Sequence, residues 1–574
     1  MAPNLDRIRE HLSTLNNVAL LTLLGAMAGF ASGLVILLFR LLVENVLQFT
    51  LGGPEAFETL AYQWHLLLPV CGVALLSIGY RWLKPEERRT GIALVIERFH
   101  LFQGIMSLRG LLIQYVAGAA TLLFGLSMGR EGPAVHMGAA SGSLLGQWAQ
   151  LPNNSIRVLT GCGCAAAISA SFNTPIAGVV FAMEVVMMEY HVGTFIPIIL
   201  ASVVGAAMTR AVYGSEVAFV VPPIELGSLW ELPFVMLSGL IIGCVAAALI
   251  MSSRFTLRHS QSLGIGWRFV MAGVVTALCA VAAPQIMGVG YDTVDSAIAG
   301  QFSVIMLVLI LILKLIATSA CVGAGLPGGV VGPTLVLGAL CGGLMGQLGT
   351  AVMPDSDGGL YVLLGMAAMM SATLQAPLAG LMTLLELTLN PNVIFPGMLV
   401  VVTSCLVTSQ VFRQQGIFET LLKAQGIRLH ISPLTHQLQS VGVAAVMNRS
   451  LVRLPRLIAL PELLRHLQNQ PNWILVENDG VPTHYMPAAD VVLFVKTLPE
   501  SPEGAEPVTL DLLEIPGSRD NIKPILMSAT LKEALDMMKR EQISALYVHW
   551  QSAPAIYRVM GILQRKDIEH FYQL

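Results

Sequence analysis

The sequence predicts an α-helical membrane protein built from two related halves and followed by a soluble α/β tail. Three observations predict it. The 574 residues have a mean hydropathy of +0.71 and only 12% charged residues, a composition typical of membrane-spanning chains. A pattern of apolar segments interrupted by glycine and proline occurs twice. Near His430 the composition then changes: charges return and cysteines vanish.

Residues 1–17 are polar, with Leu5, Ile8 and Leu12 on one helical face, and read as an amphipathic lead-in. The segment from Val18 to Val43 is too long for a signal-peptide core, so it reads as a membrane helix. Apolar segments follow at about 63–80, 104–127, 132–149, 158–187, 194–213, 229–252, 267–287, 302–320, 328–350, 358–388 and 392–412, judged against a spanning length of ~20 residues. Several are too short and several too long, which predicts tilted, broken and re-entrant helices. Small residues are dense, as in Gly161-Cys162-Gly163-Cys164-Ala165, and let helices approach where lipid gives no hydrophobic drive. The basic cluster Arg81, Lys84, Arg88 and Arg89 puts its loop on the cytoplasmic side.

The tail carries strand patterns at 473–476 and 545–548 and helical patterns at 460–467 and 531–538. Each strand follows a helix after a polar turn. Val446-Met447 and Leu526-Met527 open the two copies, and the Pro/Glu/Gly-rich stretch 498–507 reads as the linker between them.

Several function classes are excluded. A net charge of −3 without a basic run gives no nucleic-acid footprint. All eight cysteines lie in apolar stretches, and Cys162-Gly163-Cys164 is not a metal or redox spacing. No His-Glu-x-x-His helix supports a metalloprotease. Between Leu101 and Pro197 the acidic residues are Glu131, Glu184 and Glu189, too few to line a path for a hard cation.

The chemistry concentrates at Gly129-Arg130-Glu131-Gly132-Pro133, a cation and an anion bracketed by glycines within apolar sequence. An ionisable pair at membrane depth marks a functional site. Gly132-Pro133 recurs 200 residues on as Gly332-Pro333, and Gly138, Gly142 and Gly146-Gln147 recur in register as Gly338, Gly342 and Gly346-Gln347. Pro175-Ile176-Ala177-Gly178 with Glu184 is matched by Pro377-Leu378-Ala379-Gly380 with Glu386, at the same proline-to-glutamate spacing. Matched interrupted segments in two halves point to a transport site between them.

On these residues the chain resembles the CLC family of chloride channels and chloride/proton antiporters, in its prokaryotic form with a C-terminal CBS pair. The resemblance covers about residues 18–425. It rests on the Gly129–Pro133 motif, on Phe172-Asn173-Thr174-Pro175-Ile176-Ala177-Gly178 with its trailing glutamate, and on Gly328-Gly329-Val330-Val331-Gly332-Pro333. It implies a membrane domain over 1–429 made of two inverted repeats, about 18–213 and 229–425. Tandem CBS domains over 430–574, about 440–498 and 508–574, would follow. It further implies a homodimer with one pore per subunit in the lipid bilayer, in the bacterial inner membrane with the tail cytoplasmic. The protein is then a transporter of small anions rather than an enzyme, with chloride as substrate and no required cofactor, metal or nucleic-acid partner.

By the same resemblance, amides around Val330 and Val331 and around Arg130 and Glu131 line an anion site, joined by Thr90, Gly91 and Phe418. Helix N-termini supply N–H donors and partial positive charge without a counter-charge that would trap the ion. Glu131 matches the gating glutamate, a carboxylate competing with chloride for the same donors. Arg130 holds the loop rather than the ion. The family's serine is replaced by Thr90 and its pore tyrosine by Phe418, which loses a hydroxyl donor. Val331 stands where the family has phenylalanine. The inner proton-transfer glutamate is replaced by Val185, which carries no proton and predicts a passive voltage- or pH-gated channel. An antiporter with an unusual inner proton path is the alternative. Glu184 has two readings, transport group or interface carboxylate. In the tail, Asp490 and Asp567 are the candidate contacts for an adenine nucleotide, against a purely structural, dimerising tail.

Overall fold

The computed structural model describes all residues except 1–17, 54, 215–227, 354–355, 430–432, 499–507, 554–555 and 574. The expected amphipathic lead-in and most of the expected linker lie outside the described residues. The rest falls into two compact units, 18–149 with 156–430, and 150–155 with 431–574.

The larger unit is all-helical. Its first half holds α1 (Val18–Leu51), α2 (Tyr62–Arg81), α3 (Ile92–Leu101), α4 (Leu108–Leu123), α5 (Glu131–Trp148), α6 (Asn153–Phe172), α7 (Pro175–Phe181) and α8 (Val192–Tyr213). Its second half holds α9 (Leu232–Ser260), α10 (Ile265–Ala282), α11 (Tyr291–Ile298), α12 (Val304–Ala324), α13 (Val331–Val352), α14 (Gly358–Leu374), α15 (Pro377–Thr388), α16 (Ile394–Leu406) and α17 (Ile417–Ala424). Among the described residues, nine helices are long and apolar enough to cross a membrane, as a multi-pass protein requires.

The two long apolar segments are each broken, and at matching places. Asn173 (φ 60°) and Gln375 (φ 55°) turn left-handed, and Pro175 and Pro377 then start α7 and α15 at the position where proline loses no hydrogen bond. α7 continues into a π-helical turn, Ala182–Met187. The short helices α3, α11 and α17 left no apolar run long enough to read from sequence.

The repeat also appears in the packing. α1 packs on α8 as α9 packs on α16. A Cβ on Gly142 would overlap the Leu159 carbonyl oxygen, and a Cβ on Gly342 would overlap that of Tyr361. The glycines in register are therefore contact points between α5 and α6 and between α13 and α14. From Gly359 on, α14 is buried throughout, whereas α1 exposes Leu34, Leu38 and Leu42. Enclosed helices form the centre and leucine-rich faces turn outward to lipid.

The smaller unit has a six-stranded sheet of order β1-β3-β4-β6-β7-β8 and a two-stranded sheet of β2 with β5. The strands are β1 (Leu451–Pro455), β2 (Leu457–Ala459), β3 (Trp473–Asn478), β4 (Val481–Pro487), β5 (Thr509–Asp511), β6 (Asp520–Leu526), β7 (Ala545–Ala553) and β8 (Ile556–Gln564). Each copy has one parallel pair, β1 with β3 or β6 with β7, and one antiparallel pair, β3 with β4 or β7 with β8. The copies join through β4 and β6. The leading segments of the two copies are exchanged. Val443, Ala444 and Met447 are buried in the second core, and Leu510, Leu512 and Ile515 in the first. Backbone bonds between Asn448 and Ile562, at 2.8 Å in both directions, fix the exchange.

Candidate anion site and its gate

α5 and α13 both begin where the two glycine-rich loops meet. Gly129 N–H donates to the Gly329 carbonyl and Gly329 N–H to that of Gly129, each at 2.7 Å. This bridge fixes two helix starts side by side. The first turns of an α-helix leave N–H groups without intrahelical partners and carry partial positive charge. Two such ends together form a site for an anion.

Glu131 is fully buried as the first residue of α5. Its Oε2 accepts from the Gly332 amide of α13 at 3.0 Å, and its Oε1 from the Tyr291 hydroxyl at 2.6 Å. The carboxylate thus occupies a donor that a bound anion would use. Arg130 Nε lies 3.9 Å from Glu131 Oε1, but its guanidinium is directed elsewhere. Nη1 meets Glu44 Oε1 at 3.0 Å, Nη2 donates to the Ser171 carbonyl at 3.4 Å, and the group lies 5.3 Å from the Tyr291 ring centroid. The guanidinium is therefore tied to α1, to the end of α6 and to the Tyr291 ring.

Thr90, Gly91, Val330 and Phe418 line one cavity of about 90 Å³, together with Gly132 and Gly329. That exceeds the ~10–15 Å³ needed for one water several-fold. Arg130, Glu131 and Val331 are not among its lining residues; they stand at the helix starts beside it. A wider cavity of about 590 Å³ shares Thr90 with it and carries Arg88, Arg89 and Arg268, which make it a cationic mouth. Gly91 (φ 81°) takes a backbone conformation that a side chain would strain. Its N–H donates to Gln114 Oε1 at 2.9 Å and His136 Nδ1 at 3.1 Å, while Gln114 Nε2 donates to the Pro327 carbonyl at 3.2 Å.

Glu184 and Glu386 answer to each other's helices. Glu184 accepts from the Leu378 and Ala379 amides at 3.2 and 2.7 Å, at the start of α15. Glu386 accepts from the Ile176 and Ala177 amides at 2.9 and 2.7 Å, at the start of α7. Each carboxylate caps the other repeat's broken helix, so the interface reading of Glu184 is the one the geometry carries. Val185, in the π-helical turn, is buried at 4% exposure. In the tail, Asp567 accepts from the Gln564 amide at 2.8 Å and Asp490 from the Ser518 amide at 3.0 Å.

The residues packed behind Glu131 carry no motif that sequence reading could find. Glu55 Oε2 accepts from the Gly290 and Tyr291 amides at 2.9 and 2.8 Å. Lys314, fully buried, donates to the carbonyls of Ile286, Gly288 and Val289 at 3.0, 3.0 and 2.9 Å. Burial pushes the Glu55 carboxyl up to about 7. Burial, with Asp292 beside it, pushes Glu58 up to about 8.

Two half-structures of broken helices, with paired helix starts facing a carboxylate inside an apolar bundle, define a multi-pass membrane protein of the repeat-built transporter class. The chain belongs to the CLC family: residues 71–409 match the family model described as Voltage gated chloride channel. It is similar to the H(+)/Cl(-) exchange transporter ClcA of Salmonella paratyphi B, at 27% identity over 435 residues, covering 73% of this chain and 91% of that one. The ClcA of Salmonella newport gives the same figures. Among solved structures it is similar to a slow cyanobacterial Cl-/H+ antiporter, with a TM-score of 0.63 and 21% identity over 71% of this chain and 97% of the other. A eukaryotic CLC transporter matches with a TM-score of 0.58 and 19% identity over 98% of both chains. At those identities the structures speak for the fold, and the eukaryotic match extends it to the tail, whose layout is that of a CBS pair.

Proposed function

We propose that this protein carries chloride across the membrane in exchange for protons, with Glu131 as the gate. One observation carries the reading: the Glu131 carboxylate rests on the Gly332 amide, where a chloride ion would find its donor. Protonation removes the carboxylate's charge and its hold on that amide, and chloride takes the place. The lining residues Thr90, Gly91, Val330 and Phe418 then form the next stop toward the cationic mouth, with Val331 and Arg130 shaping the helix starts. Exchange is favoured over passive conduction because the matched relatives are named exchangers and align over 91% of their length.

Passive conduction, the sequence's own expectation, keeps one supporting observation. Val185 stands where a proton carrier would be, and Glu184 is engaged as a helix cap.

The working form in this reading is a homodimer with one pore per subunit. Exposed Ile176, Leu378, Phe395 and Met398 on α7, α15 and α16 supply apolar surface for it. In this reading the protein sits in the bacterial inner membrane with the tail in the cytoplasm. An adenine nucleotide at the CBS pair would have to share Asp490 and Asp567 with the backbone amides they already accept from.

The test is chloride flux through reconstituted Glu131→Gln. This variant imitates the protonated gate, so flux rises and loses its pH dependence. A pH response equal to that of the wild type would remove Glu131 from the gate.

A further inference from the structure

The gate carboxylate has a second donor that neither helix start provides. Tyr291 opens α11 and reaches Glu131 Oε1 with its hydroxyl at 2.6 Å. The Gly332 amide is a donor that an incoming anion can take over. The tyrosine hydroxyl instead meets the other carboxylate oxygen, from a separate helix of the same chain half as Gly332. A hydrogen bond to an ionised acceptor is shorter and stronger than a neutral one.

Tyr291 is held from several sides. Its own N–H and that of Gly290 are fixed on Glu55 Oε2. The loop leading into it is tied by its carbonyls to the buried Lys314 ammonium. Its ring lies beneath the Arg130 guanidinium, which is anchored to Glu44, and 6.4 Å from the Phe172 ring. Gly290 (φ 90°) makes the sharp entry into α11. A side chain fixed this way has little freedom to follow a departing gate, so its bond belongs to the closed position alone.

We propose that Tyr291 is a positioning residue that latches the Glu131 carboxylate in its closed position and thereby sets how much chloride is needed to displace it. The proposal rests on the reading of Glu131 as the gate. Removing the hydroxyl lowers the stability of the closed position without touching the amides that receive chloride. Competition between carboxylate and chloride for those amides then shifts toward chloride.

The experiment measures chloride flux against chloride concentration in vesicles containing the full chain, with Tyr291→Phe, Glu131→Ala and the double variant. Phenylalanine keeps the ring beside Arg130 and loses the donor. In Tyr291→Phe the half-saturating chloride concentration falls about tenfold, the size expected for one hydrogen bond to a charged group. In the Glu131→Ala background the same substitution leaves half-saturation within about twofold, since no carboxylate remains to latch. An unchanged half-saturation in Tyr291→Phe overturns the latch, and so does an equal shift with and without Glu131. If Glu131→Ala alone leaves rate and half-saturation unchanged, the gate reading itself fails, an outcome distinct from failure of the latch.

Discussion

At the residue scale, single donors and acceptors decide how the site behaves. Phe418 lines the candidate anion cavity with a ring and no hydroxyl. Phe418→Tyr therefore adds a donor and tightens anion binding by about 0.5–1.5 kcal/mol, the net worth of one hydrogen bond. Calorimetric titration of chloride into both proteins checks this, and equal affinities would mean the ring edge does not face the ion. Glu55 gives a pH effect whose sign follows from its raised value. The folded protein keeps its proton up to about 7, while the unfolded chain releases it near 4.5. Unfolding then releases a proton between those values, so this group's contribution to stability declines as pH rises through that window. Glu58, raised to about 8, acts in the same direction. Melting temperature should fall from about pH 5 to about pH 8, and fall less in Glu55→Gln. An equal fall in both proteins would show that Glu55 titrates normally.

At the element scale, the broken helices rest on each other's caps. Glu184→Ala and Glu386→Ala each leave two amides at a helix start without their acceptor, which costs about 1–3 kcal/mol in either case. Similar losses of thermal stability from the two, 202 residues apart in sequence, would follow from their matched roles. A loss from one alone would break the symmetry. Much of this level was legible beforehand. The glycines in register announced the close α5–α6 and α13–α14 contacts, and the Pro-to-Glu spacing announced paired elements, though not that each glutamate serves the other half. Broken helices were expected from the segments too long to span, but not the break points at Asn173 and Gln375, because hydropathy does not register a single left-handed residue. Tyr291 was invisible for another reason. Its partner lies 160 residues away, and the short helix it opens carries no apolar run. In the tail, strands and helices were readable from their patterns. The exchange of leading segments was not, since Val443 and Leu510 look equally suited to either core.

At the scale of the whole molecule, the proposed function is that of a two-repeat membrane transporter whose closed state is a carboxylate seated in an anion's place. Coupling to protons follows if Glu131 must take up a proton before chloride can replace it, and if that proton can then leave on the other side. The inner route has to run past Val185, with Glu184 already committed to its helix cap. The most direct measurement uses vesicles with a chloride gradient, no initial pH difference and the membrane voltage clamped, recording chloride and proton movement together. Exchange gives sustained uphill proton movement driven by chloride, abolished by Glu131→Ala. Chloride flowing while internal pH stays unmoved would contradict it and make the protein a passive channel.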